Sequence, residues 1–188
     1  MEADFLLFLQ EFIRNDILNP IMIVITHTGD YGILFIGAAL ILVLAPTTRR
    51  LGHLVTFSLI IESVVVNMII KNWVARTRPY DAIEELERLI GEQVDYSFPS
   101  GHTGVAFAFA GAMLFALLYG IKGLTESRKY KVITLFVLLY AVVLAFSRMY
   151  VGVHYPSDVL AGMFIGIVSG CISFHLEKLL SKAWEKRH

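Results

Sequence analysis

Apolar runs of about twenty residues recur along this chain. They constrain it more than any other feature, because about 20 such residues in a helix are what the hydrocarbon core of a bilayer demands. Four stretches fit: Leu51 to Lys71, His102 to Ile121, Tyr130 to Phe146 and Val159 to about Leu180. A fifth, Pro20 to Ala45, is long enough but is interrupted by THTGDYG, Thr26 to Gly32. It is read as one span broken near Gly29. Hydrophobic residues make up 56% of the 188 and charged residues only 17%, against roughly 25% charged in soluble domains.

The segment Phe5 to Leu18 reads differently. Phe5, Leu6, Phe8, Leu9, Phe12, Ile13 and Ile17 fall at helical spacing, while Glu11, Arg14, Asn15 and Asp16 occupy the remainder. It is too short and too charged to cross easily, so an amphipathic helix in the interface is expected. The sequence therefore predicts an all-α, polytopic membrane bundle forming one domain over residues 1–188. It has five spans, or six if the N-terminal helix also crosses.

Lysine and arginine placement sets the orientation. Arg49 and Arg50, then Lys122, Arg128, Lys129 and Lys131, then Lys178, Lys182, Lys186 and Arg187 all fall on one side in the five-span arrangement. That side is expected to be cytoplasmic. The long outer loop, Lys71 to Gly101, is expected to hold a short helix from Ala82 to Ile90 ended by Gly91, with Glu84, Glu85 and Glu87 on a solvated face. A formal net charge of zero gives no global field for nucleic acid. Cys171 is the only cysteine and reads as a buried thiol. No obligate protein partner is evident.

Three polar clusters lie on the outer side, each at the end of a span: Lys71-x6-Arg78-Pro79, Pro99-Ser100-Gly101-His102, and Ser147-Arg148-x5-His154-x3-Asp158. Taken singly, each has a bland reading as an interfacial anchor, a helix cap or a loop charge. Three together on one face point to a shared pocket, since ionisable groups near bilayer depth are costly and tend to be functional.

The chemistry these residue types allow is phosphate chemistry. Lys71, Arg78 and Arg148 bring positive charge, and arginine's planar fork matches phosphate oxygens. Ser100 offers a hydroxyl, Gly101 lets backbone approach closely, and the helix beginning near His102 turns free N–H groups toward the same place. Pro156 favours a helix start that puts Asp158 within reach of His154. An accepted Nδ1–H would leave Nε2 as a nucleophile, with His102 as general acid.

These motifs resemble the three signatures of the type 2 phosphatidic acid phosphatase superfamily, which also includes vanadium haloperoxidases: K-x6-R-P, P-S-G-H and S-R-x5-H-x3-D. All three stand here without substitution, in order, from Lys71 to Asp158. The resemblance implies a phosphohistidine intermediate on His154, His102 as the acid and Asp158 as partner of His154. Lys71, Arg78, Ser100, Gly101 and Arg148 would hold the phosphate, with Ser147 adding a hydrogen bond. No metal and no cofactor is required.

The implied substrate is a lipid phosphate or diphosphate. Undecaprenyl diphosphate is favoured, at the extracytoplasmic face of a bacterial plasma membrane, because that carrier emerges on that face. Phosphatidylglycerophosphate and phosphatidic acid remain open. So do phosphotransfer to another lipid and a binding protein with a dead site. His27 and Asp30 are read as a turn or kink that could also contact the site from the outer leaflet, and Glu62 and Asn67 as structural.

Overall fold

Hydrocarbon offers no water to backbone N–H and C=O groups, so a chain that spans it must satisfy them inside helices. The computed structural model describes residues 1–119 and 126–185, with side chains through Leu179, and all its regular structure is helical. The N-terminal α1 (Glu2–Phe8) runs into a π-helical turn, Leu9–Ile13, and stops at Arg14. The helix expected to continue to Leu18 thus ends early. Asn15 Oδ1 accepts from the backbone N–H of Ile17 (3.0 Å) and Leu18 (2.9 Å), a local bond that competes with helix continuation and starts the next one.

The expected broken span is α2 (Leu18–His27) and α3 (Ile33–Leu44), joined through a short turn at Asp30–Gly32 and bent by 46°. The bend is made by two left-handed residues, Tyr31 at φ 54° and Gly32 at φ 66°. Next come α4 (Arg49–Ser63), a π-helical stretch Val64–Ile70, and α5 (Lys71–Val74). A short α6 (Pro79–Ala82) lies in the outer loop. The last three are α7 (Gly101–Tyr119), α8 (Arg128–Tyr150) and α9 (Pro156–Glu185). Among the described residues four helices are long and apolar enough to cross a membrane, and the bent pair, taken as one span, makes a fifth. The N-terminal helix is not among them.

The outer loop departs from expectation. Its helix covers Pro79–Ala82, not Ala82 to Ile90. Leu86 and Ile90 are buried in two different clusters, one with Leu6 and Leu9 and the other with Tyr150 and Val153. Carbonyls that a helix would use are taken elsewhere: Gln10 donates to Glu85 O (2.8 Å) and Arg14 to Glu87 O (2.7 Å). Tertiary bonds have replaced local ones, while Glu84, Glu85 and Glu87 face solvent as expected.

The bundle is centred on the contact of α7 with α9, which meet along a seam of small residues. A methyl group added to Gly166 would lie 2.5 Å from Gly104 O and 2.7 Å from Ala108 N. One on Gly162 would lie 2.5 Å from Ser100 O. Small residues at such a seam bring backbones together, and packing rather than water exclusion then drives association. Glu62 of α4 packs against Gly104 on the neighbouring face of α7, and neither of its carboxylate oxygens has a hydrogen-bond partner among the described residues.

The chain path puts the ends of α5 and α8 and the starts of α7 and α9 at one end of the bundle. The opposite end carries Arg49, Arg50, Arg128, Lys129, Lys131 and Lys178. Lys122, Lys186, Arg187 and the side chain of Lys182, expected on that side too, lie outside the described residues.

Candidate active site

Three cations converge where the helix ends meet. Lys71 is the first residue of α5, presented by the π-helical stretch before it, a wider turn that recurs at functional sites. Arg78 precedes Pro79, which biases it to extended backbone; its φ and ψ are −71° and 152°. Arg148 sits in the last turn of α8. Lys71 is 5% exposed, Arg78 4% and Arg148 0%, and charges so buried need close partners.

Those partners are specific. Arg78 donates from Nε to Asp95 O and from Nη1 to Val153 O, each at 2.8 Å. Arg148 donates from Nη1 to Thr26 Oγ1 at 2.5 Å and from Nη2 to Gln93 Oε1 at 3.3 Å, and its Nε has no partner among the described residues. The Asp95 carboxylate bonds both Lys71 and Arg78. Burial alone would raise the Asp95 carboxyl, but Lys71 and Arg78 hold it down to about 2.

His154 is buried in the link between α8 and α9. Nη1 of Arg78 approaches its Nε2 to 3.4 Å, and Oδ2 of Asp158 approaches its Nδ1 to 3.5 Å. A guanidinium can only donate and a carboxylate only accept. The neighbours therefore favour one tautomer, with the proton on Nδ1 and the lone pair on Nε2. Burial, followed by the charges of Arg78, Arg148, Lys71 and His102, pushes the imidazole well below its ordinary 6.5.

Asp158 follows Pro156 in the first turn of α9 and is fully buried. Its Oδ2 accepts from Ser97 Oγ at 2.5 Å and from Tyr155 N at 2.9 Å. Its Oδ1 accepts from Nη1 of Arg76 at 2.6 Å. The other end of the Arg76 fork donates to Glu2 at 2.8 Å, and the guanidinium lies 3.8 Å over the Tyr155 ring.

The segment before α7 carries a cis Phe98–Pro99 peptide bond. Ser100 N donates to Asp158 O at 3.0 Å, tying the second motif to the third. Ser100 Oγ accepts from Thr103 Oγ1 at 3.0 Å, and Gly101 opens the helix. A methyl group on Gly101 would come 3.8 Å from Lys71 Nζ. His102 Nε2 is 2.9 Å from Asp30 Oδ1, and Asp30 Oδ2 is 2.7 Å from His27 Nδ1. Ser147, by contrast, spends its hydroxyl on Leu144 O at 2.6 Å.

A cavity of about 480 Å³ opens beside this cluster, bordered by Asp30, Lys71, Gln93, Asp95, Gly101 and His102 among others. Arg78, Arg148 and His154 do not border it. The structure thus gathers all eight residues singled out from the sequence at one end of the bundle. It adds Arg76, Gln93 and Asp95, which spacing alone did not single out, and brings in Asp30, expected as a turn or kink that could also contact the site. The break at Gly29, read as a kink, is what delivers Asp30 to His102.

Buried cations around a buried histidine, at one end of a bundle of spanning helices, define the class: an integral-membrane phosphatase. The comparisons agree. The chain belongs to the PAP2 superfamily, whose family model matches residues 51–181. It is similar to the undecaprenyl-diphosphatase BcrC of Bacillus subtilis, 32% identical over 89% of this chain and 79% of that one. It is likewise similar to phosphatidylglycerophosphatase B of Bacillus subtilis, 31% identical over 83% of this chain and 73% of that one. The crystal structure of Aquifex aeolicus LpxE superposes with a TM-score of 0.73 at 26% identity, covering 93% of this chain and 94% of that one. The chain is a PAP2-type lipid phosphatase.

Proposed function

We propose that this protein dephosphorylates undecaprenyl diphosphate to undecaprenyl phosphate at the outer face of a bacterial plasma membrane, through phosphorylated His154. The observation that carries the mechanism is the approach of Arg78 to Nε2 and of Asp158 to Nδ1 of His154. It leaves the lone pair on the nitrogen that faces the cations. Nε2 attacks the terminal phosphorus, and the bond from phosphorus to the leaving oxygen breaks. His102, oriented by Asp30, gives that oxygen a proton. Water then attacks the phosphohistidine, His102 takes a proton back, the N–P bond breaks and inorganic phosphate leaves. Lys71, Arg78, Arg148, the Ser100 hydroxyl and the amide at Gly101 hold the phosphoryl oxygens as charge moves among them. One domain, residues 1–188, carries the whole reaction, with no metal or partner protein.

The substrate assignment rests on similarity to an undecaprenyl-diphosphatase over most of both chains. It also rests on the basic end of the bundle lying opposite the site, which supports an outward-facing site. Phosphatidylglycerophosphate is the second reading, supported by comparable similarity to an enzyme named for it.

A panel of undecaprenyl diphosphate, phosphatidylglycerophosphate and phosphatidic acid decides, at equal surface concentration in detergent with EDTA. The expected result is the highest kcat/KM on the prenyl diphosphate. A preference of tenfold or more, about 1.4 kcal/mol, for a glycerophospholipid would overturn the substrate. Activity lost to EDTA and restored by a divalent ion would overturn the metal-free mechanism.

A further inference from the structure

The segment Gln93 to Asp95 supplies an acceptor to each of Lys71, Arg78 and Arg148. Gln93 takes Arg148, and the Asp95 carboxylate takes both Lys71 and Arg78, with Asp95 O taking Arg78 as well. Gln93 and Asp95 border the cavity, whereas Arg78, Arg148 and His154 do not. The cations they hold are nearly inaccessible, yet the Asp95 side chain is 48% exposed, so it can leave without unpacking a core. Between them Val94 is fully exposed at the border of the same cavity.

We propose that Asp95 is an internal competitor of the substrate phosphate: its carboxylate occupies the same donors on Lys71 and Arg78, must be displaced for a phosphoryl group to reach His154, and returns to expel inorganic phosphate after hydrolysis. The inference rests on the phosphatase reading above. A carboxylate and a phosphate oxygen make the same charge-assisted bonds to lysine and arginine. Two anions cannot share those donors without strong repulsion in a poorly screened site. Lys71 and Arg78 hold the carboxyl low, so it competes as an anion near neutral pH. Asp95 therefore sets the balance between binding and release. The site gives up some phosphate affinity and gains turnover, as expected when binding energy is better spent on the transition state than on bound ground states.

The test uses Asp95→Asn, which keeps the shape and removes the charge, with orthovanadate as the phosphate probe and a short prenyl diphosphate as substrate. The expected result is an inhibition constant for vanadate and for inorganic phosphate about tenfold lower or more, a lower KM, and a kcat that falls because phosphate leaves slowly. Unchanged or weaker vanadate inhibition in a folded Asp95→Asn protein would overturn the proposal, since a purely structural partner of Lys71 and Arg78 predicts that outcome.

If Asp95→Asn fails to fold, the native pairing is probed instead. A nitroxide is placed at Val94→Cys in a Cys171→Ser background, and vanadate is titrated. A saturable change in label mobility at the inhibitory concentration supports displacement. Inhibition with no spectral change overturns it. An active parent protein that vanadate does not inhibit removes this inference alone. An inactive parent that does not bind vanadate removes the phosphatase reading with it.

Discussion

Oδ2 of Asp158 stands 3.5 Å from Nδ1 of His154, near enough to act on the ring's charge and too far for a formed hydrogen bond. The same carboxylate already accepts from Ser97, Tyr155 and Arg76. Asp158 is therefore a fixed negative charge beneath a ring that becomes positive as Nε2 bonds phosphorus. Its position owes as much to Arg76 and Ser97 as to its place in α9.

Arg76 should act through Asp158 without touching substrate. Arg76→Gln removes a charge-assisted bond, which is worth about 1.5–3 kcal/mol, so kcat is expected to fall by roughly 10- to 100-fold with KM little changed. Arg76→Lys should recover part of the loss, and Glu2→Gln should show a smaller effect of the same kind. Steady-state kinetics of the three variants check this. A rise in KM with kcat intact would mean that Arg76 contacts the lipid instead.

General-acid catalysis by His102 has a leaving-group signature. His102→Gln should lower kcat on a prenyl diphosphate by about 10²–10⁴-fold. The loss should shrink markedly on an aryl phosphate whose phenolate leaves without a proton. Equal losses on both substrates would assign His102 to positioning.

The pH dependence follows from the burial of His154. Its imidazole is held well below 6.5, first by burial and then by Arg78, Arg148, Lys71 and His102. The acid limb of kcat/KM is therefore expected below pH 6.5, because the nucleophile stays unprotonated there. The sign for stability follows from linkage. The unfolded chain protonates this histidine first, so the native state should lose stability as pH falls below 6.5. Rate profiles and melting temperatures at pH 7.5 and 5.5 test both. A protein that is more stable at 5.5 would contradict the second.

Gly166→Ala should cost about 1–3 kcal/mol through overpacking, since the new methyl would meet Gly104 O at 2.5 Å and Ala108 N at 2.7 Å. Thermal unfolding in detergent should show a lower Tm. Gly37→Ala, where a methyl would have nothing within 4 Å, serves as the control and should leave Tm almost unchanged.

The spans and the three motifs were legible because each is written locally: apolar length for the helices, fixed spacing for Lys71 with Arg78 and for His154 with Asp158. The rest was not, because it depends on pairs far apart in the chain. Asp30 and His102 are 72 residues apart, and Arg76 and Asp158 are 82. Arg76 sits inside the first motif at a position the signature leaves open. The helix expected from Ala82 to Ile90 failed for a related reason. Its apolar residues have helical spacing, but Leu86 and Ile90 are claimed by different clusters, and Gln10 and Arg14 take the carbonyls a helix needs.

The glycine seam between α7 and α9 has a mechanical consequence. His102 rides on one of those helices and Asp158 on the other, and main chain rests on main chain at Gly104, Gly162 and Gly166. So close an approach leaves the two rods little room to slide, and the part of the machinery they carry behaves as one stiff frame. Whatever yields as a bulky lipid comes and goes must be the opposite wall, where the bent pair α2–α3 and the loop bearing Asp95 are held mainly by side chains that can swing.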